Sequence, residues 1–137
     1  MFTLSVVTPI AVFFEDEVSG VVAPGSDGYL GILAHHAPLI TSLQPGLLSI
    51  KDKNQQETHF AIGGGFLEVS NNKATILAES IERIGEIDIE RAEAALKRAQ
   101  DRIAGLFKNE DVDKERSHHA LQKALNRIAL VRRRGPN

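Results

Sequence analysis

The hydrophobic residues of this 137-residue chain change their spacing near Ser80, and this change limits the possible folds more than any other feature. Up to about Ala78, apolar residues alternate with polar ones or form short β-rich runs, a spacing typical of strands. After Ser80, apolar residues recur every three or four positions, which is the spacing of one helix face. The chain is therefore predicted to be an α+β protein with two domains, residues 1–84 and residues 85–137.

The first domain is predicted to be an antiparallel β-sandwich. Phe2, Leu4 and Val6 alternate with the residues between them until Thr8-Pro9 ends the first strand. Clusters of turn-forming residues then separate further short strands, a pattern typical of sandwiches and flattened barrels. The remaining strands are predicted at Val18 to Ala23, Tyr29 to Leu33, Leu47 to Lys51, Thr58 to Ile62, Phe66 to Val69 and Ala74 to Ala78, with turns at Gln44-Pro45-Gly46, Lys53-Asn54-Gln55 and Asn71-Asn72.

The second domain is predicted to be an antiparallel hairpin of two helices. Asp88 is a favourable N-cap for the first helix, because its carboxylate can accept hydrogen bonds from the free amides of the first turn. Asn109 to Asp113 interrupts the helical pattern, and Gly135-Pro136 ends the second helix. The apolar stripes are Ile89, Ala92, Leu96, Ala99, Ile103 and Leu106 in the first helix, and Leu121, Ala124, Ile128 and Val131 in the second.

Alanines make up much of this predicted helix seam. They let two helices approach closely but remove little apolar area from water, at ~25 cal/mol per Å². A hairpin held in this way could open without unfolding the sandwich. The alternative is a permanently packed pair in which the alanines act as spacers.

Composition excludes several classes of partner. A formal net charge of −2 argues against nucleic acid as the main partner, since phosphate binding needs a basic field. Arg132-Arg133-Arg134 is a small basic patch that also suits the C-terminal end of a helix. The chain has no cysteine, and no apolar run approaches the ~20 residues that span a bilayer. Any membrane association is therefore expected to run through another protein.

The motifs that most often signal chemistry are incomplete in this chain. Gly63-Gly64-Gly65 lacks the Gly-Lys-Ser/Thr sequence of a phosphate-binding loop, so it is interpreted as a bulge or a close backbone approach. His35-His36 and His118-His119 are adjacent pairs whose side chains point apart, so neither is predicted to bind a metal. No serine nucleophile motif is present. The chain is predicted to carry no catalytic residue and not to be an enzyme by itself.

Two glycine-containing segments and a later motif together resemble the sequence pattern of a known protein family. Gly28 to Pro38 reads Gly-Tyr-Leu-Gly-Ile-Leu-Ala-His-His-Ala-Pro, and Gly64 to Val69 reads Gly-Gly-Phe-Leu-Glu-Val. Ile87-Asp88 and Arg91-Ala92 follow in the same order. By the order and spacing of these elements, the whole chain resembles the ε subunit of the F-type ATP synthase of bacteria and chloroplasts.

This resemblance implies a rotor subunit in the central stalk of a proton-translocating ATP synthase. It implies that the sandwich binds the γ subunit and sits on the c-ring, and that the extended hairpin meets the catalytic α/β hexamer and inhibits ATP hydrolysis. The protein would be peripheral on the cytoplasmic face of the bacterial plasma membrane, or on the stromal face of the thylakoid, with no required cofactor. The partner-binding residues are then expected to be Gly31, Ile32, Leu33, His36 and Pro38 in the sandwich and Arg116 in the second helix.

The start of the first helix resembles the Ile/Leu-Asp-x-x-Arg-Ala signature with which some bacterial ε subunits bind regulatory ATP. On the second helix, Arg127 matches one of two arginines of that site, whereas Lys123 stands in place of the other. Lysine keeps the charge but lacks the planar fork of arginine. The alternative is a solvated charged face paired with nearby carboxylates. The nucleotide-binding residues that the resemblance implies are Glu82, Ile87, Asp88, Arg91, Ala92, Lys123 and Arg127.

Two further classes of function stay open from the residues alone. One is a small-ligand-binding sandwich with the hairpin as its lid, and the other is an oligomerising adaptor that uses the helices as a coiled coil. Exposed apolar residues on the sandwich, away from any pocket, would favour a coupling subunit over the lid. A monomeric mass in solution would disfavour the adaptor.

Overall fold

The computed structural model describes residues 1–104 and 114–134. The chain divides into two compact units, Met1–Arg83 and Ile84–Asn137. The first unit contains the strands, and the second contains the helices. The strands are β1 (Phe2–Val7), β2 (Val12–Gly25), β3 (Gly28–Ile32), β4 (Leu39–Asp52), β5 (Glu57–Ser70), β6 (Lys73–Ala78) and β7 (Ile81–Arg83).

The seven strands form one sheet that closes on itself. β1 pairs with β6, the sheet continues through β5 and β4 to β2, and β2 pairs with β1 again. Among the described residues, only the β1–β6 pair is parallel. β3 extends the sheet beyond β2, and β7 pairs with β5. The result is a flattened barrel, and the predicted α+β fold with an N-terminal sandwich is confirmed.

The core of this sandwich comes from the inward-facing positions of its strands. Leu4, Leu67 and Ile76 have no solvent exposure, and Phe2 and Val6 are also buried, so the predicted alternation in β1 is confirmed. The residues on either side of Leu67 are exposed, as the pleat of a strand requires. Burial of such large aliphatic side chains contributes roughly 1.5–3 kcal/mol each to folding.

The predicted turn at Gln44-Pro45-Gly46 is wrong, because β4 runs through all three residues. Pro45 lies opposite Gly63 of β5. A Cβ atom on Gly46 would lie 2.6 Å from the Cβ atom of Pro24 on β2, so three strands pass very closely here. Small residues make that approach possible, and the pairing of distant strands overrides the local preference for a turn.

The glycines of β5 allow the close approach of two backbone segments that the sequence predicted. The Gly63 amide donates to the Ser80 carbonyl at 2.9 Å, and the Gly64 carbonyl accepts from the Glu79 amide at 3.0 Å. Gly64 and Gly65 have φ values of 105° and 148°, which residues with a side chain rarely adopt. These glycines therefore let β5 bend where it changes partners.

The second unit begins with a short 3₁₀ helix (Ile84–Glu86), followed by α1 (Ile89–Ile103) and α2 (Lys114–Arg134). Arg132 Nη2, near the end of α2, lies 3.3 Å from Glu93 Oε1, near the start of α1, so the two helices run antiparallel as predicted. Ile103, which was placed in the apolar stripe, is 38% exposed. The predictions for Leu106, Asn109 to Asp113 and Gly135-Pro136 lie outside the described residues. The buried side chains of the described helices are Ala92, Ala99, Ala124, Ile128 and Leu130.

Candidate partner-binding and nucleotide-binding surfaces

An exposed apolar patch covers the outer face of β1, β4, β5 and β6. Phe66 is 58% exposed and pairs with Leu77, which is 53% exposed. Leu77 also lies opposite Val7 on β1, and Ile40 on β4 is 77% exposed. Residues opposite one another in a sheet share a face, and Ile40 lies opposite Glu68, which is two residues from Phe66 on β5. These side chains therefore lie on one surface, called here the outer patch (Val7, Ile40, Phe66 and Leu77).

The sequence prediction of partner-binding residues missed the outer patch, although the sequence carries a signal for it. Phe66-Leu67 and Ile76-Leu77 are pairs of consecutive large apolar residues inside strands. Successive side chains of a strand point to opposite faces, so one member of each pair has to face outward. In the structure Leu67 and Ile76 are the inward members.

The predicted partner residues of the sandwich divide between the core and the surface. Ile32 is 1% exposed and belongs to the core, whereas Leu33 is 68% exposed. Gly31 lies on β3 opposite Val22, with open space where its Cβ atom would be. After β3, the segment 33–38 turns the chain towards β4, with the His36 amide donating to the Leu33 carbonyl at 3.2 Å. Pro38 is exposed and His36 is half-buried on this turn, so both can contact a partner.

The prediction of partner-binding residues also did not include Asn72. It lies in the two-residue turn between β5 and β6, where Asn71 and Asn72 have φ values of 51° and 59°. This turn was predicted, since Asn tolerates positive φ in tight hairpins. The Asn72 side chain accepts a hydrogen bond from the His35 amide at 2.8 Å and donates one to the Met1 carbonyl at 3.0 Å. No sequence pattern links these three distant positions.

A shallow groove of about 390 Å³ lies beside β3 and is lined in part by residues of β2 and β4. Three of its polar side chains have partners within the protein: Ser19 Oγ donates to the carbonyls of Lys51 and Asp52, and Ser49 and Glu57 contact His59. Its apolar walls include Val22 and Leu33. No outer-patch residue lines it. The groove is one place in the described sandwich where a small ligand could sit.

A Ser-His-Glu arrangement lies next to the groove on the β4–β5 hairpin. Ser49 Oγ lies 2.9 Å from His59 Nδ1, and His59 Nε2 lies 3.9 Å from Glu57 Oε2. The side chains of His59 and Glu57 are 45% and 51% exposed. An activated serine needs a base that is held in one orientation and a nearby oxyanion site, and this solvated trio does not supply them.

The predicted nucleotide signature forms the start of α1. Asp88 Oδ1 accepts hydrogen bonds from the amides of Glu90 at 3.0 Å and Arg91 at 3.2 Å, so its predicted role as N-cap is confirmed. Arg91 is exposed, whereas Ala92 is fully buried. Ile87 is half-buried. In this arrangement the Arg91 side chain can reach a ligand, and the small Ala92 side chain allows close helix packing.

The other residues of the predicted nucleotide site lie on α2 and in the sandwich. Lys123 and Arg127 are four residues apart on α2, so they occupy neighbouring positions on one face, and both are half-buried. Arg127 makes further contacts within the protein. Glu82 lies on β7 opposite Ala61, in the sandwich unit. Arg116 is part of α2, but its side chain lies outside the described residues.

Two negative findings apply to residues 1–104 and 114–134. No group of three or more His, Cys, Asp or Glu side chains is arranged to hold a metal ion. No helix in this part of the chain is long and apolar enough to cross a membrane.

Comparison with known proteins gives the same result for both units. Residues 1–84 match the family described as "ATP synthase, Delta/Epsilon chain, beta-sandwich domain", and residues 86–132 match "ATP synthase, Delta/Epsilon chain, long alpha-helix domain". The ATP synthase epsilon chain of Carboxydothermus hydrogenoformans is 52% identical over 101 residues, which cover 74% of this chain and 75% of that protein. The epsilon chain of Protochlamydia amoebophila is 47% identical over 103 residues, which cover 75% and 70%.

Solved structures agree with the fold. A chain in the cryo-EM structure of the Euglena gracilis mitochondrial ATP synthase (OSCP/F1/c-ring) matches with a TM-score of 0.76 at 23% identity, covering 92% of this chain and 78% of that one. A chain in the central stalk/c-ring structure of the Tetrahymena thermophila mitochondrial ATP synthase matches with a TM-score of 0.59 at 17% identity, covering 98% and 96%. At these identities the likeness supports the sandwich-plus-helices architecture alone.

Proposed function

Because this chain belongs to the family of ATP synthase epsilon chains, we propose that it is the central-stalk rotor subunit that couples γ to the c-ring. In this role it performs no chemistry itself. It transmits torque between its partners, and its helical hairpin restrains wasteful ATP hydrolysis. It reaches the membrane indirectly, through the c-ring, on the cytoplasmic face in a bacterium or the stromal face in a plastid.

The observation that carries this proposal is the outer patch. Its three most exposed side chains, Ile40, Phe66 and Leu77, are each more than half exposed and lie together on one sheet face. An apolar surface of this kind suits a protein partner. The patch is separate from the groove, which favours the coupling subunit over a ligand-binding sandwich with a lid. In the hairpin, Ala92, Ala99 and Ala124 are already buried, which disfavours an adaptor that needs this seam for a coiled coil.

The two partners are assigned to different surfaces of the sandwich. The γ subunit binds the outer patch together with the 33–38 turn, which leads directly into Ile40. The c-ring meets the β3 edge, where Tyr29 is 56% exposed. Capture of purified γ and c-ring by the full chain tests the assignment. Failure of the chain to capture γ, or failure to capture the c-ring, would contradict the assignment of that partner.

Removing the residues after Ile84 is expected to raise ATP hydrolysis by the assembled enzyme several-fold while γ is still captured. Among the described residues, the sandwich core is built from positions up to Ile81, so the truncated chain should fold and bind. The hairpin would act through Arg116, Lys123 and Arg127, which are proposed to meet acidic loops of the α/β hexamer when extended. A full-length chain with these three residues changed to glutamine is the matched variant and should also release hydrolysis. Unchanged hydrolysis over a range of ATP concentrations would contradict the inhibitory role.

We also propose that the hairpin binds regulatory ATP through the start of α1 and the cations of α2. Arg91→Ala is expected to weaken ATP binding by about ten-fold to a hundred-fold, because charge-assisted hydrogen bonds to phosphate contribute roughly 1.5–3 kcal/mol each. Lys123→Arg is expected to tighten binding by restoring the forked donor. Calorimetric titration of the full chain measures both.

The matched control for this titration is Lys97→Ala, which removes an exposed cation of α1 that lies outside the signature and on a different face of the helix from Arg91. It should leave ATP affinity unchanged. Absence of saturable binding up to about millimolar ATP would leave Asp88 with the capping role alone.

A further inference from the structure

We propose that Asn72 is a positioning residue that holds the 33–38 turn in the conformation that γ recognises. The proposal rests on the proposed function, since it concerns the surface assigned to γ. Asn72 itself belongs to the β5–β6 turn and acts through its hydrogen bonds to two other segments of the chain.

The Asn72 side chain joins three separate segments at one end of the sandwich. Its Oδ1 atom accepts from the His35 amide at 2.8 Å, and its Nδ2 atom donates to the Met1 carbonyl at 3.0 Å. Its own carbonyl accepts from the Thr3 amide at 3.3 Å. The side-chain orientation is determined by its partners, because an amide can only donate and a carbonyl can only accept. The position therefore uses both the oxygen and the nitrogen of the carboxamide. Aspartate would supply the acceptor oxygen but no donor nitrogen.

The 33–38 turn depends on this support because part of its backbone is unfavourable. His35 has a φ of 62°, in the left-handed region that costs a residue with a side chain an energy comparable to one hydrogen bond. The hydrogen bond that the His35 amide donates to Asn72 Oδ1 offsets that cost. Without it, the turn should exchange among several conformations, because other backbone geometries become equally favourable.

The conformation of this turn matters to γ because the turn leads into the outer patch. His36 Nδ1 lies 2.7 Å from the Ala37 carbonyl, which can only accept, so Nδ1 carries the proton and the ring is held against the turn. Pro38 then restricts the backbone, and Ile40, 77% exposed, follows two residues later. A change at His35 therefore moves His36 and Pro38 relative to Ile40.

The test uses the full chain with three substitutions. Asn72→Gly removes the side chain but tolerates the φ of 59°. Asn72→Asp keeps the acceptor for His35 and loses the donor to Met1. Asn71→Gly is the matched control, since Asn71 occupies the same turn with a φ of 51° and is exposed. NMR hydrogen exchange of the His35 amide, urea unfolding and calorimetric affinity for purified γ are measured for each.

Asn72→Gly is expected to speed exchange at His35 and to weaken γ binding about ten-fold, as it would if the competent conformation fell to about a tenth of the population. Asn72→Asp should show a smaller loss of affinity, and Asn71→Gly should match the unsubstituted chain. A merely structural role would instead lower the urea midpoint and leave affinity unchanged at low urea.

Three outcomes would overturn the proposal. One is faster exchange at His35 with unchanged γ affinity, and another is an equal loss of affinity in Asn71→Gly. The third is hydrogen exchange of the His35 amide in Asn72→Gly that is as slow as in the unsubstituted chain, which would show that the turn needs no support from Asn72. Absence of γ binding by the unsubstituted chain would overturn the proposed function as well, and this result is distinct from a loss seen only in Asn72 variants.

Discussion

Gly65→Ala is expected to lower the free energy of unfolding of the sandwich by about 3–5 kcal/mol, the range of the most damaging single substitutions. An added Cβ atom would lie 1.9 Å from the Leu77 carbonyl oxygen and 3.1 Å from the Ala78 Cα atom, both of them backbone of the paired strand. Neither can rotate away as a side chain could. Gly65 also has a φ of 148°, which adds strain for alanine.

Gly31→Ala is the control for this prediction. Gly31 also lies in a strand, but nothing lies within 4 Å of the position that its Cβ atom would take. Its substitution should change the free energy of unfolding by no more than about 0.5 kcal/mol, as at ordinary surface sites. Urea unfolding of the full chain compares the two variants. Equal midpoints for both would show that β5 and β6 can separate at Gly65 without cost.

Replacing Phe66 and Leu77 together with serine is expected to weaken γ binding by about 20-fold to 250-fold, or about 1.7–3.3 kcal/mol. Full burial of each side chain contributes roughly 1.5–3 kcal/mol, and here a little over half of each is available to a partner. Both residues face outward, so the free energy of unfolding should change little. Calorimetry with purified γ measures the effect.

Val22→Ser is the matched control for the outer-patch variant. Val22 is 43% exposed and lines the groove, and it lies outside the outer patch. Its substitution should leave γ affinity unchanged. If the Phe66/Leu77 double variant binds γ as tightly as the Val22 variant does, the outer patch is not the γ surface.

Features that depend on neighbouring residues were predictable from the sequence. The change from period two to period three or four separated the strands from the helices, because strand and helix backbones present side chains at those intervals. Asp88 was identified as a cap because its partners, the amides of Glu90 and Arg91, lie within three residues of it. Thr8-Pro9 was predicted to end β1 for a similarly local reason, since proline has no amide to donate.

Features that depend on distant segments needed the tertiary structure. Gln44-Pro45-Gly46 has the local chemistry of a turn, and only its pairing with the glycines of β5 and its contact with Pro24 make it a strand. The site residues divided in the same way. Leu33 and Pro38 were predicted to bind a partner from the motif that carries the family resemblance, whereas the outward phase of Phe66 and Leu77 follows from which face of the closed sheet is filled.

By itself, the sequence determined which part of the chain forms strands and where the strands give way to helices, because those properties arise from interactions over a few residues. The tertiary structure decided which strands pair, including the parallel β1–β6 pair that closes the barrel. It also decided that Asn72 meets His35 and Met1, which lie 37 and 71 residues away along the chain. Such contacts form only after distant segments pack, and their geometry depends on the whole core rather than on local propensity.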